Sequence, residues 1–330
     1  MAQLVAAFGS SHSPALNSPV EDMGGHARRD EMYQGHLDRD GRKISYAELA
    51  ARAGDRFKGE ITPEKLTERI AACERHVDRL AQAIAAAKLD ALVIVGDDQR
   101  EQYLEDNQPA FLVYCGATIE NAPMELAENM PEYWRRARSQ YYEPSQRRAY
   151  PVASELALHL VECFVDREFD IAYGKSLPRQ RGEGHAFGFV HRRLLGGSTA
   201  LPIVPLVVNT YYPPNQPRPA RCYALGRALR EAIETFSPKK RVGVIASGGL
   251  SHFTVDEALD EAVLSGCRDA DGAALSAIPA AKLNSGSSEI RNWIVAAGAA
   301  EALRTKWQEY VPLYRTPAGT GCGMAFAQWD

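Results

Sequence analysis

Two histidines each follow a short apolar segment that ends near glycine. Leu4–Phe8 leads into Gly-Ser-Ser and then His12, and Val242–Ala246 leads into Ser-Gly-Gly-Leu-Ser and then His252. Apolar, β-branched runs that open into glycine predict buried strands that end in loops. Open α/β sheets assemble their chemistry at the carboxyl ends of such strands. We therefore expect both imidazoles to reach one site that is built from distant parts of the chain.

Acidic and amide side chains occupy comparable positions. Asp97, Asp98 and Gln99 follow a third apolar run, Ala91–Val95. Glu289 stands at the start of a predicted helix. Separately, the acidic residues have ordinary explanations, because they cap turns and favour the positive end of a helix dipole. Together with the two histidines, these side chains resemble the histidine-and-carboxylate donors of a non-haem Fe(II) site with open positions.

Strand-like and helix-like segments alternate along the chain. Beyond the three runs above, strands are predicted at 110–114, 170–173, 203–208 and 324–329, and helices at 45–53, 62–87, 154–165, 221–235, 256–266 and 285–303. Residues 21–43 are polar and contain glycine, which predicts a loop, while residues 121–150 predict a helix with an exposed excursion. The alternation predicts an α/β fold around a largely buried sheet. No internal repeat or linker is visible, which favours one domain.

The composition excludes several classes of protein. The chain of 330 residues is 45% apolar and carries a formal charge of −4, which gives no net attraction to nucleic acid or to an anionic membrane. No apolar run approaches the roughly 20 residues that span a bilayer, and the N-terminal segment lacks the basic region of a signal peptide. The six cysteines form no C-x-x-C pair, so we expect buried free thiols and a cytoplasmic location.

Eight short motifs occur in a fixed order over nearly the whole chain. They are Ser-His-Ser-Pro-Ala-Leu (11–16), Gly-Asp-Asp-Gln (96–99), Pro-Ala-Phe (109–111), Gly-His (184–185), Val-Asn-Thr-Tyr-Tyr-Pro (208–213), Arg-Cys-Tyr-Ala-Leu-Gly (221–226), Gly-Gly-Leu-Ser-His (248–252) and Gly-Ser-Ser-Glu (286–289). In this order the set resembles the class III extradiol ring-cleavage dioxygenases of the protocatechuate 4,5-dioxygenase large-subunit type. The long segment between the first two motifs looks most like the 3-O-methylgallate branch, to which the gallate dioxygenases are related.

The resemblance implies a fold, a cofactor and partners. The fold would be α/β, a single domain over residues 1–330 with a central mixed sheet flanked by helices and a helical insertion at about 20–87. The cofactor would be Fe(II), and the partners would be a small aromatic substrate and O2, with no nucleic acid and no membrane. Some relatives cover the site with a separate small helical subunit. Here residues 45–87 and 121–150 could serve as that lid, so we expect a homodimer that needs no small subunit.

The resemblance also implies roles for individual residues. His12 and Glu289 match metal ligands of the family. His252 matches the histidine that acts as general base and acid, and His185 matches a histidine near the substrate oxygens. The family's second histidine ligand aligns with Gln99, whose amide oxygen is a weaker donor to Fe(II) than an imidazole.

Three interpretations of Gln99 remain open. It is a ligand in a variant metal site, the interpretation that we favour slightly. Alternatively, the metal recruits Asp98, His26 or water in its place. In the third interpretation the metal site is lost, although the intact histidines and glutamate argue against that.

The implied reaction is oxidative opening of a catecholic ring beside its two hydroxyls. The substrate would be a lignin-derived aromatic carboxylate such as 3-O-methylgallate, gallate or protocatechuate. Tyr211 and Tyr212, beside the Asn209 turn, are assigned with Asp98 to substrate binding, although both tyrosines are equally consistent with the core. The arginine-rich stretch 135–148 could bind a carboxylate, but a solvated helix face explains it better.

Two other classes of function compete with this enzyme. A non-enzymatic or differently catalytic metal-binding relative of the same fold, similar to the Memo-type proteins, would explain the absent histidine ligand. A serine or metal-dependent hydrolase is the other class. The sequence around Ser251 lacks the second glycine of a nucleophile elbow, and Gly319–Gly323 is not followed by the Gly-Lys-Ser/Thr of a phosphate-binding loop. Oxygen uptake with a catechol distinguishes the dioxygenase from both.

Overall fold

Buried β-branched segments form the strands of a large mixed sheet. The computed structural model describes residues 1–330. Its strands are β1 (Gln3–Ser10), β2 (Ala91–Asp97), β3 (Phe111–Tyr114), β4 (Thr118–Asn121), β5 (Arg148–Pro151), β6 (Ala172–Gly174), β7 (Ile203–Val208), β8 (Arg241–Ser247), β9 (Thr305–Tyr314) and β10 (Gly321–Trp329). Eight strands form one sheet in the order β6-β3-β7-β2-β8-β1-β10-β9, and β4 pairs with β5 separately. The predicted α/β fold with a central mixed sheet flanked by helices is confirmed.

Helices cover both faces of this sheet. They are α1 (Met23–Met32), α2 (Tyr46–Ala53), α3 (Pro63–Ala86), α4 (Glu132–Arg138), α5 (Ser154–Asp166), α6 (His185–Phe189), α7 (Pro219–Thr235), α8 (Glu257–Arg268), α9 (Gly272–Ala277) and α10 (Ile290–Ala300). The larger core lies between the sheet and α5, α7, α8 and α10, and the smaller core lies under α3 and α6. None of these helices combines the length and the apolar character that crossing a membrane requires.

The four central strands end at the same edge of the sheet. β1, β2, β7 and β8 are parallel, so that Ser10 pairs with Ser247 and Asp97 pairs with Val208. The loops that leave these strands therefore start side by side. We call this the carboxyl edge, and we include in it the first residues of α6 and the turn before α10. His12 and His252 each follow one of these strands, so both start from this edge.

Several elements differ from the predictions: β4, β5, α6 and α9 have no predicted counterpart, and two further differences have a clear physical reason. The loop predicted at 21–43 is wrong, because Met23–Met32 forms α1. The buried face of α1 is made of Met23, Gly25, His26 and Asp30, so the helix has no apolar stripe that hydrophobic periodicity could detect. β9 has no counterpart among the predicted strands, since this edge strand carries charged and half-exposed residues along most of its length.

Two predictions that rest on single residues or residue types are confirmed. Thr62 caps α3 by accepting a hydrogen bond from the Lys65 amide at 3.3 Å, as predicted. All six cysteines are buried and free, which confirms the expectation of buried free thiols. Burial raises the pKa of the Cys222 thiol to about 12, so this thiol is protonated at neutral pH.

Candidate metal centre and substrate cavity

His12 presents a buried ring nitrogen that has no partner in the protein. It lies two residues beyond β1, and its Nδ1 is 3.1 Å from Ser247 Oγ. Because Ser247 Oγ donates its own hydrogen to the Ala186 carbonyl at 2.7 Å, it accepts the hydrogen of Nδ1. Nε2 is therefore unprotonated, and it is buried without a hydrogen bond. Burial, and then the charge of His185, lower the pKa of His12 to about 3, so the ring stays neutral.

Glu289 supplies negative charge beside His12. It ends the turn that precedes α10, and its Oε2 accepts a hydrogen bond from the Gly249 amide at 2.6 Å. Gly248 makes room for this carboxylate: its φ is 156°, and an added Cβ would lie 3.1 Å from Oε2. Burial would raise the pKa of Glu289, but the neighbouring His252 outweighs burial and the pKa falls to about 2. The carboxylate is ionised.

His252 faces Glu289 from the loop after β8. Its Nδ1 donates to the Leu250 carbonyl at 2.9 Å, and its backbone N–H donates to Ser287 Oγ at 3.1 Å. Its Nε2 lies 3.4 Å from Glu289 Oε1. Burial favours the neutral ring, yet the charge of Glu289 raises the pKa of His252 well above its usual value. The exchangeable proton of this imidazole is thus the one on Nε2.

His185 begins α6, and Glu101 holds it in place. Glu101 accepts the backbone N–H of His185 at 3.0 and 3.1 Å and accepts Nδ1–H at 2.9 Å. Burial would lower the pKa of His185, but the charge of Glu101 outweighs burial and raises it to about 9. The rings of His185 and His12 meet edge to face with centroids 5.0 Å apart. A charged His185 can donate a hydrogen bond from Nε2.

Asp97 is a member of the centre that sequence reasoning did not select. One ligand atom from each of Asp97, His185 and Glu289 lies within 4.8 Å of the other two. Asp97 is buried, and its Oδ1 accepts from Asn292 Nδ2 at 3.2 Å. Burial, and then the charge of Glu289, raise the pKa of Asp97 to about 7. Its position at the end of β2 was the available signal, but the sequence did not distinguish it from Asp98.

Gln99 also reaches the centre. Its Nε2 donates to Glu289 Oε1 at 3.0 Å and lies 3.4 Å from Asp97 Oδ2. The amide nitrogen therefore faces both carboxylates, and ligation of a cation by Gln99 would need its Oε1 turned to this side. The three predicted metal ligands and the two predicted catalytic histidines all line one cavity.

The three residues predicted to bind substrate do not all line the cavity. Asp98 accepts backbone N–H groups from residues 101–103 at 2.8 to 3.1 Å and thus caps the turn after β2. Tyr212 lies outside the cavity, with the guanidinium of Arg100 4.6 Å from its ring centroid. Tyr211 lines the cavity. The structure thus brings only Tyr211, of these three, to the place where a substrate could bind.

The cavity has a volume of about 290 Å³ and two kinds of wall. One wall is the carboxyl edge. The other consists of α1 together with residues 132–141, which we call the helical wall. Residues 45–87 contribute no side chain to the lining, so this part of the expected lid lies elsewhere. Lining residues that sequence reasoning did not select include Arg29, Asp30, Glu101, Trp134, Phe253, Arg315 and Cys322.

Fold and site together define an α/β protein with a histidine-and-carboxylate centre at the carboxyl edge of a mixed sheet. The family described as "Catalytic LigB subunit of aromatic ring-opening dioxygenase" matches residues 63–325, and the chain belongs to this family. The resemblance to the class III extradiol dioxygenases is thereby confirmed.

Individual relatives are similar over shorter stretches. The 2,3-dihydroxyphenylpropionate/2,3-dihydroxicinnamic acid 1,2-dioxygenase of Comamonas testosteroni is 28% identical over 179 residues, which are 52% of this chain and 48% of the relative. A gallate dioxygenase of Pseudomonas putida is 36% identical over 106 residues, which are 31% of this chain and 30% of the relative. The chain thus spans about half the length of these curated relatives or less.

Proposed function

We propose that this protein uses Fe(II) and O2 to open a catecholic aromatic carboxylate beside its hydroxyl pair. The substrates to test first are 3-O-methylgallate, gallate and protocatechuate. The observation that carries the proposal is the buried, unprotonated and unpartnered Nε2 of His12 next to the ionised Glu289. Buried polar atoms in proteins normally have partners, and a divalent metal ion is a partner that an imidazole lone pair and a carboxylate can share.

The donor set fits a ferrous ion. His12 Nε2 and the Glu289 carboxylate would hold the ion, with Gln99 as the third donor through its Oε1. Asp97 is the alternative third donor, and two neighbouring buried carboxylates favour a dication because it neutralises their repulsion. When bound, the ion would hold the catechol and O2 in contact and pass electrons between them.

His252 would handle the substrate proton. Its Nδ1 already donates to the Leu250 carbonyl, so Nε2 is the atom that exchanges protons with a ligand in the cavity. A cation bound to Glu289 would neutralise the charge of this carboxylate. The pKa of His252 would then return towards its usual range, and the ring would become a base at neutral pH. It would then accept a phenolic proton and later return one.

His185 and the cavity walls would orient the substrate. His185 is held charged by Glu101, so it would donate from Nε2 to a substrate oxygen. Tyr211 would contact the ring, and the helical wall would exclude water from it. Because the chain itself supplies this wall, we propose that it works without a small subunit. The proposed protein is a cytoplasmic homodimer, with one domain over 1–330 and a helical insertion at about 20–87.

Oxygen consumption tests the proposal. The purified chain is loaded with Fe(II) without oxygen, and O2 uptake is then recorded with each of the three carboxylates. We expect one O2 consumed per ring opened, with a new absorbance from the ring-opened product, and no uptake by His12→Ala. An iron-loaded wild-type protein that consumes no O2 with any catechol would refute the proposed function.

A second candidate is a metal-binding relative of the same fold without dioxygenase activity. The observation in its favour is that Gln99, where the family pattern has histidine, directs its amide nitrogen at the two carboxylates. Such a protein would bind Fe(II) and leave O2 untouched in the same experiment.

A further inference from the structure

Three arginines line the cavity, and they differ in what they contact. Arg315 is buried and donates to both carboxylate oxygens of Asp30, at 3.0 and 3.2 Å. Arg138 lies 4.0 Å from the Glu101 carboxylate. Arg29 takes part in no ion pair and in no hydrogen bond within the chain. Of these three guanidinium groups, it is the only one with no carboxylate oxygen within 4.0 Å.

Trp134 holds Arg29 in place. The guanidinium carbon of Arg29 lies 3.7 Å from the centroid of the indole ring. Stacking uses the flat face of the guanidinium and leaves the N–H groups in its plane available to a ligand. Trp134 packs edge-on against His26 with centroids 5.9 Å apart, and His26 Nε2 is 2.8 Å from Ser18 Oγ. Arg29 is thus positioned by packing although it is exposed.

The two parts of the helical wall are joined closely where they carry this pair. Arg136 binds both carboxylate oxygens of Asp22 at 2.9 and 3.0 Å, which connects α4 to the start of α1. Gly25 lets α1 approach Tyr133, since an added Cβ would lie 2.8 Å from that ring. These contacts fix α1 relative to α4, and Arg29 therefore projects from a helix that is held in place.

The other charged groups of the cavity each face a partner within the protein. Glu289 faces His252, Arg315 pairs with Asp30, and Glu101 is shared by His185 and Arg138. Arg29 is the cation that has no carboxylate partner of its own, and it lies on a wall that supplies none of His12, Gln99 and Glu289. A ligand that fits this arrangement has hydroxyls for the carboxyl edge and an anion elsewhere on its ring.

We propose that Arg29 binds the carboxylate of the aromatic substrate and thereby determines specificity. The proposal rests on the proposed function. A guanidinium fork matches a carboxylate through two parallel N–H···O bonds, which fixes the orientation of the ring as well as its charge. A neutral catechol of the same shape forfeits these bonds and is bound more weakly.

The test compares a carboxylate with its neutral isostere. Dissociation constants for protocatechuate and for 3,4-dihydroxybenzamide are measured without oxygen on the Fe(II)-loaded protein. Wild type should prefer the carboxylate about 10- to 100-fold, Arg29→Gln should lose that preference, and Arg29→Lys should keep part of it. Arg28→Gln is the matched control, because Arg28 is the exposed neighbour of Arg29 and does not line the cavity.

Two results would overturn the inference. One is a wild-type protein without preference, and the other is an Arg29→Gln protein that keeps the full preference while its melting temperature is unchanged. A wild-type protein that binds neither compound counts against the proposed function as well. Binding with an unaltered preference in Arg29→Gln counts against the role of Arg29 alone.

Discussion

The carboxyl edge and the helical wall enclose the same cavity but are built differently. At the edge, His12 and Glu289 are 5% and 3% exposed and each is fixed by a hydrogen bond to a strand or turn residue. On the wall, Arg29 is exposed and Trp134 half-buried, and stacking is what holds them. Edge residues are therefore suited to a chemical step that tolerates little displacement, whereas wall residues are suited to selecting the ring that enters.

The largest effect is expected from the proton-transfer residue at the edge. His252→Gln should lower kcat about 100- to 10,000-fold, because general acid–base catalysis typically contributes that much. Iron content should remain at the wild-type level, since His252 is not among the predicted ligands. Steady-state O2 uptake and metal analysis check both statements. A kcat within about threefold of wild type would remove His252 from the mechanism.

Glu289→Gln should weaken the metal site itself. Glutamine keeps an oxygen for the Gly249 amide but loses the negative charge, so we expect Fe(II) affinity to fall about 100-fold. Titration of Fe(II) without oxygen measures the affinity. The matched wall variant, Arg29→Gln, should bind Fe(II) like wild type. Equal losses in both variants would contradict the division of labour between edge and wall.

Substitutions at Gln99 and Asp97 identify the third donor. Gln99→His should keep or raise Fe(II) affinity, and Gln99→Ala should lower it about tenfold. If Gln99→Ala leaves affinity unchanged while Asp97→Asn lowers it, the donor is Asp97. Asp98→Asn serves as control, because its carboxylate caps a turn and does not line the cavity.

The smallest effect is expected on stability, at Asp260, which holds the loop that carries His252. Asp260 is buried and accepts hydrogen bonds from the backbone and hydroxyl of Ser251, both at 2.7 Å, next to His252. Burial raises the pKa of Asp260 to about 6, above its unfolded value. The folded state therefore binds the proton of Asp260 more tightly than the unfolded state does. The stability that this proton contributes is fully present when the pH is below the pKa of Asp260 in the unfolded chain. It is lost as pH rises through about 6.

Between pH 5 and 7 the stability lost through Asp260 amounts to about 1 kcal/mol. Urea unfolding at both pH values should show that Asp260→Asn loses less stability over this interval than wild type. Asp269→Asn, an exposed change nearby, should follow wild type. Parallel behaviour of Asp260→Asn and wild type would show that Asp260 is not protonated in the folded state at pH 5.

The edge could be predicted from the sequence because strand ends carry their own signals. Apolar runs that open into glycine located His12 and His252, and the ends of parallel strands converge whatever the rest of the fold. The choice between Asp97 and Asp98 was beyond such reasoning. Successive side chains at a strand end point in opposite directions, so one carboxylate enters the centre and the other caps a turn.

The wall could not be predicted in the same way. α1 lacks an apolar stripe, so its residues looked like loop, and nothing in the sequence placed Arg29 near Trp134 some hundred positions away. Their contact depends on the tertiary approach of α1 to α4. The sequence therefore predicted a chemistry and a class of substrate, whereas Arg29, which we propose to recognise the charge of the substrate, was identified only from the fold.

Metal stoichiometry tests the central claim most directly, namely that His12 and Glu289 together bind one divalent ion. Anaerobic equilibrium dialysis against Fe(II), followed by metal analysis, gives the number of ions per chain. We predict one ion per chain in wild type, and almost none in a folded His12→Ala/Glu289→Gln double variant. A double variant that binds one ion per chain with wild-type affinity would contradict the claim.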